Sequence, residues 1–343
     1  MTTRTGPLVA TVDVGGTTIK GALVDAAGVV HEQRRTMVRD VAAQQIVPAI
    51  IGAFDGLLRA ATGIGVSVSA VGLAVPGVVE ENAGVGELSM ILGWRDVPFV
   101  QLLQEAFGLP VAFSHDVSAG AYAEARRGAA QGHRDWLFLA LGTGLGSTFV
   151  LNDRPYRGSG GTGGELAHVV CEADGPHCRC GKSGCLEMVS SAGAVATLYA
   201  QATGAQNVSA AEVVRRAADG DPAAQHVWHR AITGLVTVVG GYVESMNPSA
   251  IVIGGGLAEA GAALLEPFAV SLRQQVAFAR TFPAIRAAAF GDLAAVHGIA
   301  IRAHEHLQDQ HPGTFAVPFD GANHTVLPRR QEEPDGHIRE ALR

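Results

Sequence analysis

Two segments of this chain share one design, and together they constrain its fold more than any other feature. Leu8–Val14 reads as a strand, Gly15-Gly16-Thr17-Thr18 as a tight turn, and residues 19–24 as a returning strand. Far downstream the pattern recurs. Trp136–Leu141 is an apolar strand, Gly142-Thr143-Gly144-Leu145-Gly146 the turn, and 147–151 the strand that follows. β-type residues bracketing glycines mark a hairpin. Two such hairpins, at the heads of two halves, predict a duplicated α/β architecture with a cleft between lobes.

At 343 residues the chain is long enough for two lobes, each with its own core. Apolar patterning predicts helices over 46–61, 100–107, 117–130, 211–218, 223–246 and 294–307, and strands over 71–75, 109–113 and 250–253. Pro48 fits a helix's opening turn. The apolar run at 232–243 is too short to span a bilayer and reads as a buried helix. A net charge of −7 argues against a nucleic-acid face, which needs basic residues. No basic stretch leads into an apolar one at the start, so no signal peptide is expected, and a thiol cluster suits a reducing cytoplasm. Residues 310–343 mix Pro, Gly and charge without periodicity and predict a disordered tail.

That thiol cluster is the most specific chemical signal. Three of the four cysteines, Cys178, Cys180 and Cys185, lie within eight positions, and His168 precedes them by ten. One imidazole and three thiolates form the soft donor set that a closed, structural zinc ion takes tetrahedrally. Cys171 is left over and reads as a core thiol.

The glycine turns suggest phosphate contacts. Asp13 places a carboxylate at a strand end, and the amides of Gly15, Gly16 and Thr17 can converge on phosphate oxygens, with hydroxyls from Thr17 and Thr18 and charge from Lys20. Gly142, Thr143 and Gly144 offer a second cradle. Gly254, Gly255 and Gly256, after a strand, allow a third close backbone approach. None has the spacing of a Walker A or dinucleotide-binding motif.

Taken in this order, the motifs resemble those of the ROK family (repressor, open reading frame, kinase), within the actin/hexokinase superfamily. The resemblance runs from about Leu8 to about His306. It is carried by DVGGTTIKGALVD from Asp13, GLAVPG from Gly72, GWRDVP from Gly93, HDV at His115, GTGLG from Gly142, GGELAH from Gly163, CRCGKSGCLE from Cys178 and IVIGGG from Ile251. It implies a two-lobed, actin-like ATPase fold of ribonuclease H-like type, with duplicated mixed sheets. Residues 1–115 with roughly 297–309 would form the smaller lobe, and 116–296 the larger one with the thiol motif.

The resemblance also implies ATP-dependent phosphorylation of the 6-hydroxyl of a hexose, glucose first, with Mg²⁺ and a structural Zn²⁺. Asp13, Gly15, Gly16, Thr17 and Lys20 would form one phosphate loop and Gly142, Thr143 and Gly144 the other. Gly254, Gly255 and Gly256 would border the adenosine. Asp116 aligns with the catalytic general base; its other reading is a helix N-cap. Gly77, His115, Asp116, Glu165, His168 and Glu187 would surround the sugar, with His168 also on zinc. Implied partners are small molecules and further copies of the chain, as a dimer or larger assembly, without nucleic acid or membrane.

Three positions depart from the family pattern. His115 stands where Asn usually precedes the catalytic Asp, Ile91 where an Asn is common before the Gly-Trp pair, and Gly146-Ser147-Thr148 where a further glycine pair is frequent. They leave open a kinase for N-acetylmannosamine or N-acetylglucosamine, and a catalytically silent sugar binder. A family repressor would carry a winged helix-turn-helix ahead of the first strand, and the twelve residues before Asp13 are too few for one.

Overall fold

The computed structural model describes residues 7–38, 41–278 and 281–309. The expected tail at 310–343 falls outside them.

The first half opens with β1 (Leu8–Val14), β2 (Thr18–Asp25) and β3 (Val30–Met37), followed by α1 (Ala43–Gly63) and β4 (Val68–Val75). Three short strands come next: β5 (Val78–Glu80), β6 (Val85–Ser89) and β7 (Trp94–Val97). Then come α2 (Phe99–Phe107) and β8 (Val111–His115). The main sheet has the order β3-β2-β1-β4-β8, with β1 paired antiparallel to β2 and parallel to β4. β1 is buried along its whole length, which is why it reads as an unbroken apolar run. β5, β6 and β7 form a separate antiparallel sheet.

The second half begins with α3 (Asp116–Arg127), β9 (Trp136–Leu141), β10 (Leu145–Leu151) and β11 (Arg154–Tyr156). A one-turn α4 (Glu187–Ser190) leads to α5 (Ala192–Thr203), α6 (Ala210–Ala218) and α7 (Pro222–Met246). β12 (Ala250–Gly254), α8 (Ala262–Gln275), β13 (Ala284–Ala287) and α9 (Ala294–Asp309) complete the chain. The sheet order is β11-β10-β9-β12-β13, again two antiparallel pairings and then two parallel ones. Strand for strand this repeats the first sheet, so the duplication expected from the two hairpins is literal.

Helix burial follows spacing. Ile46, Ile50, Phe54, Leu57 and Ala61 line one face of α1 and pack into the first core with Leu8, Val12 and Leu23. By length and composition α1 could cross a membrane, but its apolar stripe is spent on this sheet. The helix begins three residues earlier than expected, so Pro48 lies in its second turn rather than its first. α7 carries the 232–243 run and is buried in the second core, as its composition required.

α9 returns from the far end of the chain to pack on β1, β2, β4 and β8, and it also crosses α3. At that crossing a Cβ on Gly298 would lie 1.7 Å from the carbonyl oxygen of Ala119. Only hydrogen fits there, so two backbones touch.

Candidate active site

In both main sheets the parallel strands end at one edge, and ligands of open α/β sheets bind outside such carboxyl ends. The register shows what gathers there. In the first sheet Asp13 pairs with Ala74 and Ala74 with Ser114, so three neighbouring strands deliver Asp13–Gly15, Pro76–Gly77 and His115–Asp116 to one rim. In the second, Gly254 pairs with Ala140, which brings Gly254–Gly256 beside Gly142–Gly144. Gly255 has φ +79°, and a Cβ there would lie 2.6 Å from the Leu141 backbone. The third glycine turn is therefore packed against the strand end that leads into the second.

Each hairpin turn is closed by a backbone bond from its first glycine, spanning three residues in the first turn and two in the second. Gly15 donates its N–H to the Thr18 carbonyl at 2.9 Å, and Gly142 to the Gly144 carbonyl at 2.9 Å. Among the described residues, the next two N–H groups of each turn, those of Gly16 and Thr17 and of Thr143 and Gly144, have no acceptor within the chain. Paired free amides on a glycine turn are a concave anion site. The second turn is braced from behind, where Ala192 donates to the Gly142 carbonyl (2.9 Å) and Gly193 to that of Thr143 (3.2 Å).

Asp13 is 6 % exposed, and burial pushes its carboxyl up to about 6 against the pull of Lys20, with Asp116 and Asp292 adding to the rise. Lys20 is its cross-strand partner, and the two ion-pair at 3.4 Å. The same ammonium donates to the Asp292 carbonyl at 2.7 Å, which ties β2 to the turn that precedes α9.

Asp116 opens α3. The N-cap place belongs to His115, so Asp116 is the first helical residue instead. Its Oδ1 accepts the Val117 N–H at 2.7 Å and lies 3.4 Å from His115 Nε2. His115 is thus mostly covered and turned toward the aspartate, not toward solvent. The Asp116 charge acts on both Asp13 and Glu165, so this carboxylate lies near enough to each to raise it. Glu165 is itself held above the usual carboxylate range, first by burial and then by Asp116 and Glu187, while His115 and His168 oppose the rise.

The thiol cluster assembles as its spacing implied. One ligand atom from each of His168, Cys178, Cys180 and Cys185 lies within 4.8 Å of the others. Cys178 Sγ is 3.6 Å from His168 Nδ1, and Cys180 Sγ is 3.5 Å from Cys185 Sγ. Tetrahedral zinc with ordinary Zn–S and Zn–N lengths has edges of roughly 3.5–3.8 Å, so the donor set fits the ion. Nδ1 faces the thiols, which leaves Nε2 on the far side of the ring. Cys171 stands apart, with its Sγ 3.4 Å from the Gly184 carbonyl.

Glu187 follows Cys185 by two residues and opens α4. Its Oε1 accepts the Leu145 N–H at 3.3 Å and would lie 2.6 Å from a Cβ on Gly144. Ile91, 55 % exposed, reaches over the first turn, its Cγ2 2.8 Å from where a Cβ on Gly16 would sit.

Sequence reasoning missed Glu81. Its carboxylate accepts from Ser114 Oγ (2.7 Å), the His115 N–H (3.1 Å), Arg302 (2.8 Å) and Arg157 (3.4 Å), and the two arginines hold it below the usual range despite burial. It fixes the backbone directly before Asp116. Nothing local flags it, because both arginines lie far downstream in sequence.

A sequence profile described as the ROK family matches residues 9–306. The chain is 33 % identical to a glucokinase of Halalkalibacterium halodurans over 75 % of its own length and 82 % of that protein's. It is 27 % identical to a xylose repressor of Bacillus spizizenii over 79 % of its length and 69 % of the repressor's. Among solved structures it is similar to a ROK family glucokinase from Streptomyces griseus in complex with glucose and AMPPNP, with TM-score 0.77, 29 % identity, and coverage of 87 % of this chain and 99 % of that one.

Proposed function

Because this chain belongs to the ROK family, we propose that it transfers the γ-phosphoryl group of ATP to the 6-hydroxyl of a hexose, glucose first. The observation that carries the reading is Asp116 at the same strand-end rim as Asp13 and a glycine turn with free amides, close enough to Glu165 for its charge to be felt there. With Oδ1 taken by the Val117 N–H, its other oxygen is left to accept the hydroxyl proton as the sugar oxygen bonds to the γ-phosphorus. The bond from that phosphorus to the bridging oxygen breaks, and ADP leaves with the oxygen.

The free amides of both turns would hold the phosphates, with Asp13 facing the Mg²⁺ that enters with ATP and Gly254, Gly255 and Gly256 bordering the adenosine. Gly77, His115, Glu165, His168 and Glu187 would bond the sugar hydroxyls. Zinc on His168, Cys178, Cys180 and Cys185 would order that loop and fix the imidazole's tautomer, without touching the reacting atoms. Residues 1–115 with about 297–309, and 116–296, would move as two lobes closing on the sugar. The cytoplasm and a homo-oligomeric assembly complete the proposal.

A coupled ADP-release assay over glucose, mannose, fructose, allose and the N-acetylated hexosamines tests the reading. Glucose turnover above the others is expected, and no turnover of any would end it. One observation favours a second sugar class. Ile91 is apolar and half exposed beside the first turn, at the position where the family pattern commonly has Asn, and an apolar side chain there would suit an N-acetyl methyl group. Preference for N-acetylmannosamine, the substrate that names other family members, would decide for it.

A further inference from the structure

Glu165 occupies the apex of a three-residue turn. Its backbone has φ −73° and ψ 64°, and the Leu166 N–H reaches back to the Gly164 carbonyl at 2.8 Å. Those angles and that bond define an inverse γ-turn, an open conformation with a single backbone bond of its own. Something outside must keep it folded if the Glu165 side chain is to hold one direction.

The Ser147 hydroxyl does so. It donates to the Gly164 carbonyl and accepts the Leu166 N–H at 3.0 Å. One oxygen therefore bonds both peptide groups flanking the Glu165 α-carbon, and so restrains both of that residue's soft dihedrals. Ser147 is 5 % exposed inside β10, where a hydroxyl without partners would be costly, so burial holds it to these two bonds. On the other side of the turn, His168 N–H meets the Glu165 carbonyl at 3.4 Å. Glu165 is gripped by β10 before it and by the thiol cluster after it.

β10 also starts at Leu145, whose N–H binds Glu187. The first three residues of one strand thus orient both candidate sugar carboxylates and continue directly from the second glycine turn.

We propose that Ser147 is a positioning residue for sugar recognition: it clamps the γ-turn and thereby aims Glu165 into the hexose pocket. This rests on the kinase reading above. Ser147→Ala removes the hydroxyl and adds nothing. Hydrogen exchange at the Leu166 amide is expected to accelerate at least tenfold, with zinc content per chain unchanged. Under the same conditions the glucose KM rises about tenfold while the ATP KM stays within twofold and kcat falls less than the affinity does. General loosening of the fold would instead move the ATP KM and the melting temperature as well, and that pattern overturns the proposal. So does unchanged exchange at Leu166, or a lost clamp with an unaltered glucose KM. A wild type that phosphorylates no hexose removes the kinase reading alone, and the exchange arm then decides whether the clamp exists.

Discussion

The carboxylate of Glu187 accepts the backbone N–H of Leu145 at 3.3 Å, so the loop that carries the thiols and the turn that would cradle phosphate share one side chain. Removing it should disturb both substrates. Glu187→Ala is expected to raise the KM of hexose and of ATP by about tenfold each, the scale of one lost charged hydrogen bond. Glu187→Gln keeps an oxygen for Leu145 and should raise the hexose KM alone. Steady-state kinetics with each substrate varied separates the two patterns.

Asp116→Asn preserves size and the Val117 contact but cannot take a proton. A fall in kcat of roughly 10²–10⁴ is expected, the range for general-base help, with sugar affinity by calorimetry within a few-fold of wild type. Wild-type turnover in this variant would refute the assignment.

Burial raises Asp13 from the ordinary 3.8 to about 6. Between those values the folded state holds a proton that the unfolded chain has released. This group's contribution to stability is therefore fullest below the lower value and is lost as pH rises through about 6. Asp13→Asn should melt higher than wild type above pH 6, with the gap closing near pH 4. Nucleotide binding runs the other way, since it needs the ionised carboxylate, and Mg-ATP affinity should weaken as pH falls through about 6. A pH-independent melting difference would contradict the first half, and flat Mg-ATP affinity the second.

Stripping zinc with a chelator should speed hydrogen exchange across residues 163–187 and raise the hexose KM with little change in kcat. The ligands His168 and Cys185 stand three and two residues from Glu165 and Glu187. Identical kinetics in protein shown to be metal-free would remove the metal from sugar recognition.

What the sequence disclosed and what it withheld divide along physical lines. β1 and β9 have the predicted bounds because a strand buried on both faces leaves an unmistakable apolar run. The thiols were legible because few chemistries cluster cysteines so tightly. β3 escaped notice: Val30–Met37 is an edge strand exposed at most positions and rich in charge, with no apolar face to alternate. β5, β6 and β7 are only three to five residues long, below the reach of periodicity. α5, small and alanine-rich, has hardly any amphipathic pattern. The Glu81 network and the Ser147 clamp depend on partners that only the fold brings near. A serine inside an apolar strand was the single available hint of the second.

The crossing of Gly298 over Ala119 limits how the molecule can breathe. Sliding α9 along α3 would carry a side chain into a gap that admits only hydrogen. The two helices are therefore pinned where they cross, and replacing that one hydrogen by any side chain would have to pry them apart.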